Sequence, residues 1–180
     1  MNLKKAVTRR DWKRIKKLYM SAFPKCERKP FAIIRYKQYK RAADVWMLED
    51  GGELIGLAIT MNGPDLVLLD YFAIDDSKRG KGYGSKALKL LQERYAGYRF
   101  FLEIERTDVE ADNIEERKRR KSFYLQNGMT ELSVHAVLFG VEMELLGYQC
   151  EVNFEEYRNL YISNYGNLTK KNVVKDDAEL

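Results

Sequence analysis

Histidine occurs once in this chain, at His135, and cysteine twice, at Cys26 and Cys150. The cysteines stand far apart with no C-x-x-C spacing, and with one histidine they do not furnish a structural zinc site or a disulfide scaffold. A Ser-His or Cys-His relay would need His135 as its base, and that residue lies in a strand-like run, where a packed histidine is the commoner outcome. Proline is limited to three residues while hydrophobic residues make up 45%, which excludes wholesale disorder and collagen-like composition. No apolar run approaches the roughly 18 residues of a membrane span, and the start, MNLKKAVTRRDWKRIKK, has no apolar stretch of signal-peptide length. A cytoplasmic protein with no metal and no membrane partner is the expectation.

Charge, by contrast, is plentiful and unevenly placed. The 180 residues suit one domain, and the net charge of +5 conceals fifteen Lys and Arg in residues 1–41 against Asp11 and Glu27 alone. That segment carries +13 and the remainder −8. Such asymmetry points to an acceptor or partner with an anionic part, or to helices with solvated basic faces. No recognised DNA-binding motif and no RNP-type aromatic strand is present, which argues against nucleic acid.

Hydrophobic periodicity orders the elements. Residues 2 to 7 suit a short strand, and Thr8 with Asp11 spaces a capping box opening a helix. Trp12, Ile15, Leu18, Tyr19, Ala22 and Phe23 mark one face of that helix, which Pro24 ends. A second basic helix runs from Pro30 to about Arg41. Residues 44–50 and 53–62 form a hairpin around Gly51-Gly52, and 65–74 (DLVLLDYFAI), apolar on both faces, is a buried strand. Ala87, Leu88, Leu91 and Tyr95 restore the helical period, with Gly97 as the expected C-cap. A strand at 99–106 places Phe101, Glu103 and Glu105 on one face. A charged helix ends at Asn127-Gly128, strands follow near 130–138 and 141–149 with a turn at Phe139-Gly140, then a short helix in NFEEYRNLYISNYG. The last dozen residues read as a frayed tail. The order β-α-α-β-β-β-α-β-α-β-β gives an α/β fold with a mixed, mostly antiparallel central sheet flanked by helices. Residues 1–150 make one domain, and 151–180 are a C-terminal helix and tail packed on it.

The chemistry-bearing segment is Arg79-Gly80-Lys81-Gly82-Tyr83-Gly84-Ser85-Lys86, between a buried strand and an amphipathic helix. Glycines there let backbone approach a ligand, and a helix N-terminus offers unpaired N–H groups to phosphate. A dinucleotide GxGxxG would need glycine at Ser85, and a GxxxxGK[ST] loop needs a spacing that neither Gly80 nor Gly82 provides. The run Ile74 to Gly84 instead resembles the GNAT superfamily of acyl-CoA-dependent N-acetyltransferases, whose [Q/R]-x-x-G-x-[G/A] signature is filled by Arg79, Gly82 and Gly84. Downstream, Phe123-Tyr124-Leu125-Gln126-Asn127-Gly128-Met129 resembles the family's F-Y-x-x-x-G-F, with Met for the last Phe. The likeness covers residues 1–150, and the element order is that of the GNAT fold.

This resemblance implies acetyl transfer from acetyl-CoA to a primary amine of a small molecule or peptide. The backbone of Phe72, Ala73 and Ile74 would receive the pantetheine arm, and N–H groups from Arg79, Gly80, Lys81, Gly82, Tyr83, Gly84 and Ser85 the pyrophosphate. Tyr124 would lie beside the thioester sulfur, where a phenol that is protonated at neutral pH can act as general acid to the leaving thiolate. Many members carry Asn seven residues before this tyrosine. Here Arg117 stands there and the nearest Asn is Asn113, which leaves open which of the two contacts CoA. Another acyl donor or a hydroxyl acceptor, and a basic ribosome- or nucleic-acid-associated module, are the alternatives. A homodimer is also compatible with the family.

Four other features are weighed by type. Glu105 and Glu103 either take the amine's proton, bind a cationic acceptor, or are ordinary strand-face carboxylates. Asp70, inside an apolar run, is expected to be ion-paired, because an unpaired buried charge is costly. The stretch Arg117 to Lys121 either touches the 3′-phosphate of CoA or is a solvated helix face. Trp12, Tyr19, Phe23, Phe31, Tyr36 and Tyr39 are mainly core by spacing.

Overall fold

The structure, a computed structural model, describes residues 1–176, with Leu168 described for its backbone only. Chain contacts divide it into two compact units, one made of Met1–Asn62 and Leu69–Tyr95, the other of Gly63–Leu68 and the residues from 96 onward. Eight strands and five α-helices are present among the described residues, an α/β architecture.

The first unit holds β1 (Asn2–Lys5), α1 (Arg9–Ala22), α2 (Phe31–Tyr39), β2 (Ala43–Asp50), β3 (Glu53–Asn62), most of β4 (Leu66–Ile74) and α3 (Tyr83–Arg94). Its strands lie side by side in the order β1, β2, β3, β4. β1 and β3 both run antiparallel to β2, and Asp50 pairs with Glu53 across the Gly51-Gly52 turn. Both turn glycines have positive φ, 56° and 82°, as a two-residue hairpin of this hand requires. α1 starts where its capping box predicts. Thr8 Oγ1 accepts from the Asp11 N–H at 3.1 Å, and Asp11 Oδ2 accepts from the Thr8 N–H at 3.0 Å. The periodic face then buries Ile15, Leu18 and Tyr19 in one cluster with Ile34 of α2 and Val45, Met47, Leu57, Ile59, Tyr71 and Ala73 of the sheet. Burying each such side chain contributes about 1.5–3 kcal/mol. Of the aromatic set, Tyr36 and Tyr39 are the departure, since both are exposed.

The second unit holds β5 (Arg99–Glu105), α4 (Ile114–Gln126), β6 (Thr130–Leu138), β7 (Val141–Tyr148), α5 (Phe154–Tyr165) and β8 (Val173–Lys175). The strand order is β5, β7, β6, β8, antiparallel throughout. α5 opens on a second capping box, Asn153 with Glu156, and buries Tyr157, Leu160 and Tyr161.

Three local expectations shift. Pro30 is the N-cap of α2 rather than its first residue. The C-cap of α3 is Tyr95, with Gly97 two residues beyond at φ 91°. The end of the chain is not frayed over its last dozen residues. Asn167–Lys171 form a 3-10 turn and β8 pairs with β6, Val137 opposite Val174, burying Val173. That ordering comes from a neighbouring strand edge, which short local sequence does not announce. Residues 177–180 of the expected tail lie outside the described residues.

Candidate active site

In the first unit the site grows from the end of β4. Leu66 to Leu69 are buried, after which half-buried Asp70, Phe72 and Ile74 alternate with buried Tyr71 and Ala73. The Asp75 N–H donates to the Ile55 carbonyl at 2.8 Å, holding the strand end against β3. Gly56 of β3 makes this approach possible. A Cβ there would fall well under 3.0 Å from the Ala73 carbonyl oxygen and press on Ile74. Sequence reading passed over Gly56, since a lone glycine in a strand signals a close approach without naming the neighbour.

Beyond β4 the chain turns through a single 3-10 turn, Asp76–Lys78, capped by the Asp75 carboxylate on the Ser77 N–H at 3.0 Å. Arg79, exposed, pairs with Asp76 at 2.8 Å. Gly80 and Gly82 both sit at φ 75°, and a Cβ on either meets nothing within 4 Å, so conformation rather than crowding is what makes them glycine. Gly82 is the N-cap of α3, with no side chain hydrogen-bonded across the helix start. The first intrahelical bond is from the Lys86 N–H to the Gly82 carbonyl at 3.2 Å, which leaves the N–H groups of Tyr83, Gly84 and Ser85 at the open first turn. Tyr83 pins this turn by donating to Asp50 Oδ2 at 3.2 Å. Exposed N–H groups at the positive end of a helix dipole suit an anionic oxygen, so these residues fit a pyrophosphate.

Asp70 is ion-paired as expected, with Lys29 Nζ 2.7 Å from its carboxylate. The N-terminal basic residues are also partly answered within this unit: Lys4 pairs with Asp11 at 2.9 Å, Arg14 with Glu49 at 2.8 Å, and Lys5 with Asp44.

In the second unit, Tyr124 lies buried in α4 with the Phe123 ring edge-on at 5.2 Å. Burial pushes its hydroxyl up to about 12, with Arg120 nearby acting the other way, so it remains protonated at neutral pH. Glu103 and Glu105 do share a strand face, and each is engaged. Tyr157 and Tyr161 of α5 donate to Glu103 at 2.6 and 2.5 Å. Arg117 and Arg120 of α4 reach Glu105 at 2.8 and 3.6 Å. Arg117 also donates to Asn113 Oδ1 at 2.8 Å, so the two residues considered for the CoA contact touch each other. Lys121 lies 2.6 Å from Glu144 and 2.9 Å from Glu131. The basic stretch of α4 thus divides, Arg117 and Lys121 being half-buried in ion pairs while Lys118, Arg119 and Arg120 are exposed. Among the described residues no three His, Cys, Asp or Glu side chains gather as a metal site, and no helix is long and apolar enough to cross a membrane.

The family model for the acetyltransferase (GNAT) family matches residues 12–119, well over half of the chain. The chain belongs to the GNAT acetyltransferase family. The match takes in the glycine loop of this GNAT protein and ends before the Phe123 to Met129 segment. Among solved structures, a protein of Bacteroides thetaiotaomicron described as a GNAT-family acetyltransferase superposes with TM-score 0.77 at 22% identity, over 92% of this chain and 99% of its own. The ribosomal-protein-S18-alanine N-acetyltransferase of Escherichia coli gives 0.62 at 14% identity, over 83% and 94% of the two chains. A GNAT acetyltransferase of Elizabethkingia anophelis with acetyl-CoA bound gives 0.57 at 13%, over 83% and 97%. At such identities the likeness establishes the fold. A comparison with curated proteins finds no match. GNAT membership supports acyl transfer from acetyl-CoA, on a fold of the α/β class expected from the element order.

Proposed function

We propose that this GNAT protein moves an acetyl group from acetyl-CoA to a primary amine by direct attack of the neutral amine on the thioester carbonyl. The observation that carries this reading is the open start of α3 behind Gly80 and Gly82, an anion cradle built from backbone alone at the end of β4. Acetyl-CoA is held in the Elizabethkingia relative, and an alanine amine is the acceptor in the name of the E. coli one, which supports donor and acceptor class.

In this reading the N–H groups from Arg79 to Ser85 bind the pyrophosphate, and backbone at Phe72, Ala73 and Ile74 aligns the acyl arm. The amine nitrogen forms a bond to the carbonyl carbon, the C–S bond breaks, and the nitrogen gives up one proton. Tyr124 supplies a hydrogen bond or proton to the departing thiolate. With its hydroxyl raised to about 12, sharing the proton is favoured over full transfer. Glu105 and Glu103 are the second unit's candidates for the proton leaving nitrogen, and the variants Glu105→Gln and Glu103→Gln distinguish them by kcat. Residues 1–150 carry every group in this scheme.

Tyr124→Phe tests the acid assignment, since it keeps the ring and removes the hydroxyl. Measured where chemistry limits turnover, kcat should fall by roughly 10² with little change in acetyl-CoA affinity. A kcat within about threefold of wild type would leave Tyr124 a packing residue. For the cradle, Gly82→Val should abolish acetyl-CoA binding in calorimetry while circular dichroism still shows a folded chain. Wild-type affinity in a folded Gly82→Val protein overturns it.

A further inference from the structure

Tyr36 and Tyr39 of α2 lie outside the core that helical spacing assigns them, with 56% and 80% of their surfaces exposed. They line a groove of about 480 Å³ together with Ala6 and Val7 after β1, Trp12 in the first turn of α1, and Arg35. That volume is in the usual range of a ligand site. Ala32, Arg35, Tyr36 and Tyr39 recur at i, i+3, i+4 and i+7, so one face of α2 looks into the groove while Ile34 is in the core. Gln38 fixes the wall. Its side chain donates to the Ala6 carbonyl at 2.6 Å and accepts from the Val45 N–H at 2.7 Å, tying α2 to β2 and to the chain leaving β1.

Cations are set against these rings. The Arg35 guanidinium lies over Trp12, 5.2 Å from the ring centroid, and the Lys40 ammonium is 5.7 Å from the centroid of Tyr36 and 5.9 Å from that of Tyr39. Between Glu27 and Asp44 the chain has six Lys and Arg and no acidic residue. Lys29 is taken by Asp70, but Arg35, Lys40 and exposed Arg41 have no ion-pair partner among the described residues. A guanidinium stacked on a ring keeps its N–H edge free for phosphate. Exposed aromatic faces alternating with unneutralised cations suit a strand whose bases stack and whose phosphates pair. An acidic peptide would use the cations and leave the rings idle, and a lipid surface is too flat to enter the groove. The rings are carried by a helix, so the strand-borne RNP pattern that the sequence lacks is not required.

The groove is separate from the cradle at α3. Val45 and Met47 of β2 pack with α1 and α2, whereas Trp46 Nε1 donates to the Tyr95 hydroxyl at the end of α3 at 2.8 Å, so these helices lie on opposite faces of β2. Along that strand Ala6 is bonded to Val45 and Tyr83 to Asp50, positions roughly 17 Å apart.

We propose that this groove binds single-stranded nucleic acid, its bases stacking on Tyr36 and Tyr39 and its phosphates pairing with Arg35, Lys40 and Arg41. Such binding is a property beyond acetyl transfer and does not depend on it.

The probe is a fluorescein-labelled oligoadenylate RNA of about twelve nucleotides, titrated with the full chain and followed by fluorescence anisotropy. Saturable binding is expected, and with three phosphate contacts the affinity should fall about twentyfold between roughly 50 and 200 mM salt. Tyr36→Ala/Tyr39→Ala should weaken binding about thirtyfold or more, with circular dichroism unchanged because both rings are exposed. Tyr36→Phe/Tyr39→Phe keeps the ring faces and should bind as wild type. Arg35→Gln should lower the salt slope by about 0.7. Saturating acetyl-CoA should leave the anisotropy as it is. Absence of binding at the lower salt, or wild-type affinity in a folded Tyr36→Ala/Tyr39→Ala protein, overturns the proposal. So does displacement by acetyl-CoA, and so does equal affinity for a labelled oligoglutamate of the same length or for phosphatidylserine vesicles. A chain that binds the RNA but no acetyl-CoA removes the acetyl-transfer reading and upholds this one.

Discussion

α1 and α3 begin in opposite ways within one unit. The start of α1 is closed by side chains: Thr8 covers the Asp11 N–H, and the Asp11 carboxylate takes the N–H groups of Thr8 and Val7 as well as the Lys4 ammonium at 2.9 Å. The start of α3 has Gly82 at its cap, no side chain across it, and glycine again two residues back at Gly80. Every helix start needs its first N–H groups satisfied. At α1 the protein supplies its own acceptor, whereas at α3 no side chain does, which is the opening that the proposed reading fills with the pyrophosphate of acetyl-CoA.

Making α3 resemble α1 should break the comparison most strongly. Gly82→Asp places a carboxylate where the pyrophosphate is proposed to sit, and acetyl-CoA affinity in calorimetry should fall on the order of a hundredfold, about 2.8 kcal/mol. Helix content should be kept, because aspartate is a good N-cap and tolerates the left-handed region better than most residues. An unchanged affinity would show that α3 is open for another reason.

Gly56→Ala acts on the strand behind that helix. Its Cβ would meet the Ala73 carbonyl, and backbone at that contact has no rotamer with which to move aside. A loss of about 1–3 kcal/mol in urea unfolding is expected, with weaker acetyl-CoA binding because Ala73 and Ile74 shift. Full stability with normal binding would mean that β3 and β4 separate freely.

Opening α1 has the smaller effect. Asp11→Ala should cost about 1 kcal/mol of stability, perceptible as a lower Tm, and leave acetyl-CoA affinity as in wild type. The same carboxylate sets an acid dependence. Burial acts to raise its pKa, but the hydrogen bonds from Lys4, Thr8 and Val7 prevail and hold it well below the ordinary carboxylate range. A group depressed in the folded state contributes stability above its unfolded pKa of about 3.9 and loses it as pH falls further. The stability gap between wild type and Asp11→Ala should therefore be constant near neutrality and narrow below about pH 4. A gap that persists in acid would assign the effect to packing.

Much of this architecture is local and could be read from the chain. A capping box joins Thr8 to Asp11, a hairpin turn needs only Gly51 and Gly52, and the loop from Arg79 to Ser85 is recognisable because its glycines are two residues apart between a strand and a helix. These features depend on dihedral preference and spacing, which neighbours in sequence determine. The roles of isolated residues were less accessible. Asp70 was expected to be paired, yet its partner Lys29 lies 41 positions away, and Glu103 meets Tyr157 and Tyr161 at separations of 54 and 58. The ordering of Val173–Lys175 likewise depended on the free edge of β6. The sequence by itself determined which segments are helix and strand and where a glycine loop opens a helix, because short-range sterics and dihedral preference do not need a fold to exist. Only the tertiary structure decided which charges face one another, since that depends on strand order and register, and so it alone shows Glu105 held by two arginines and a lysine ammonium resting on Asp70.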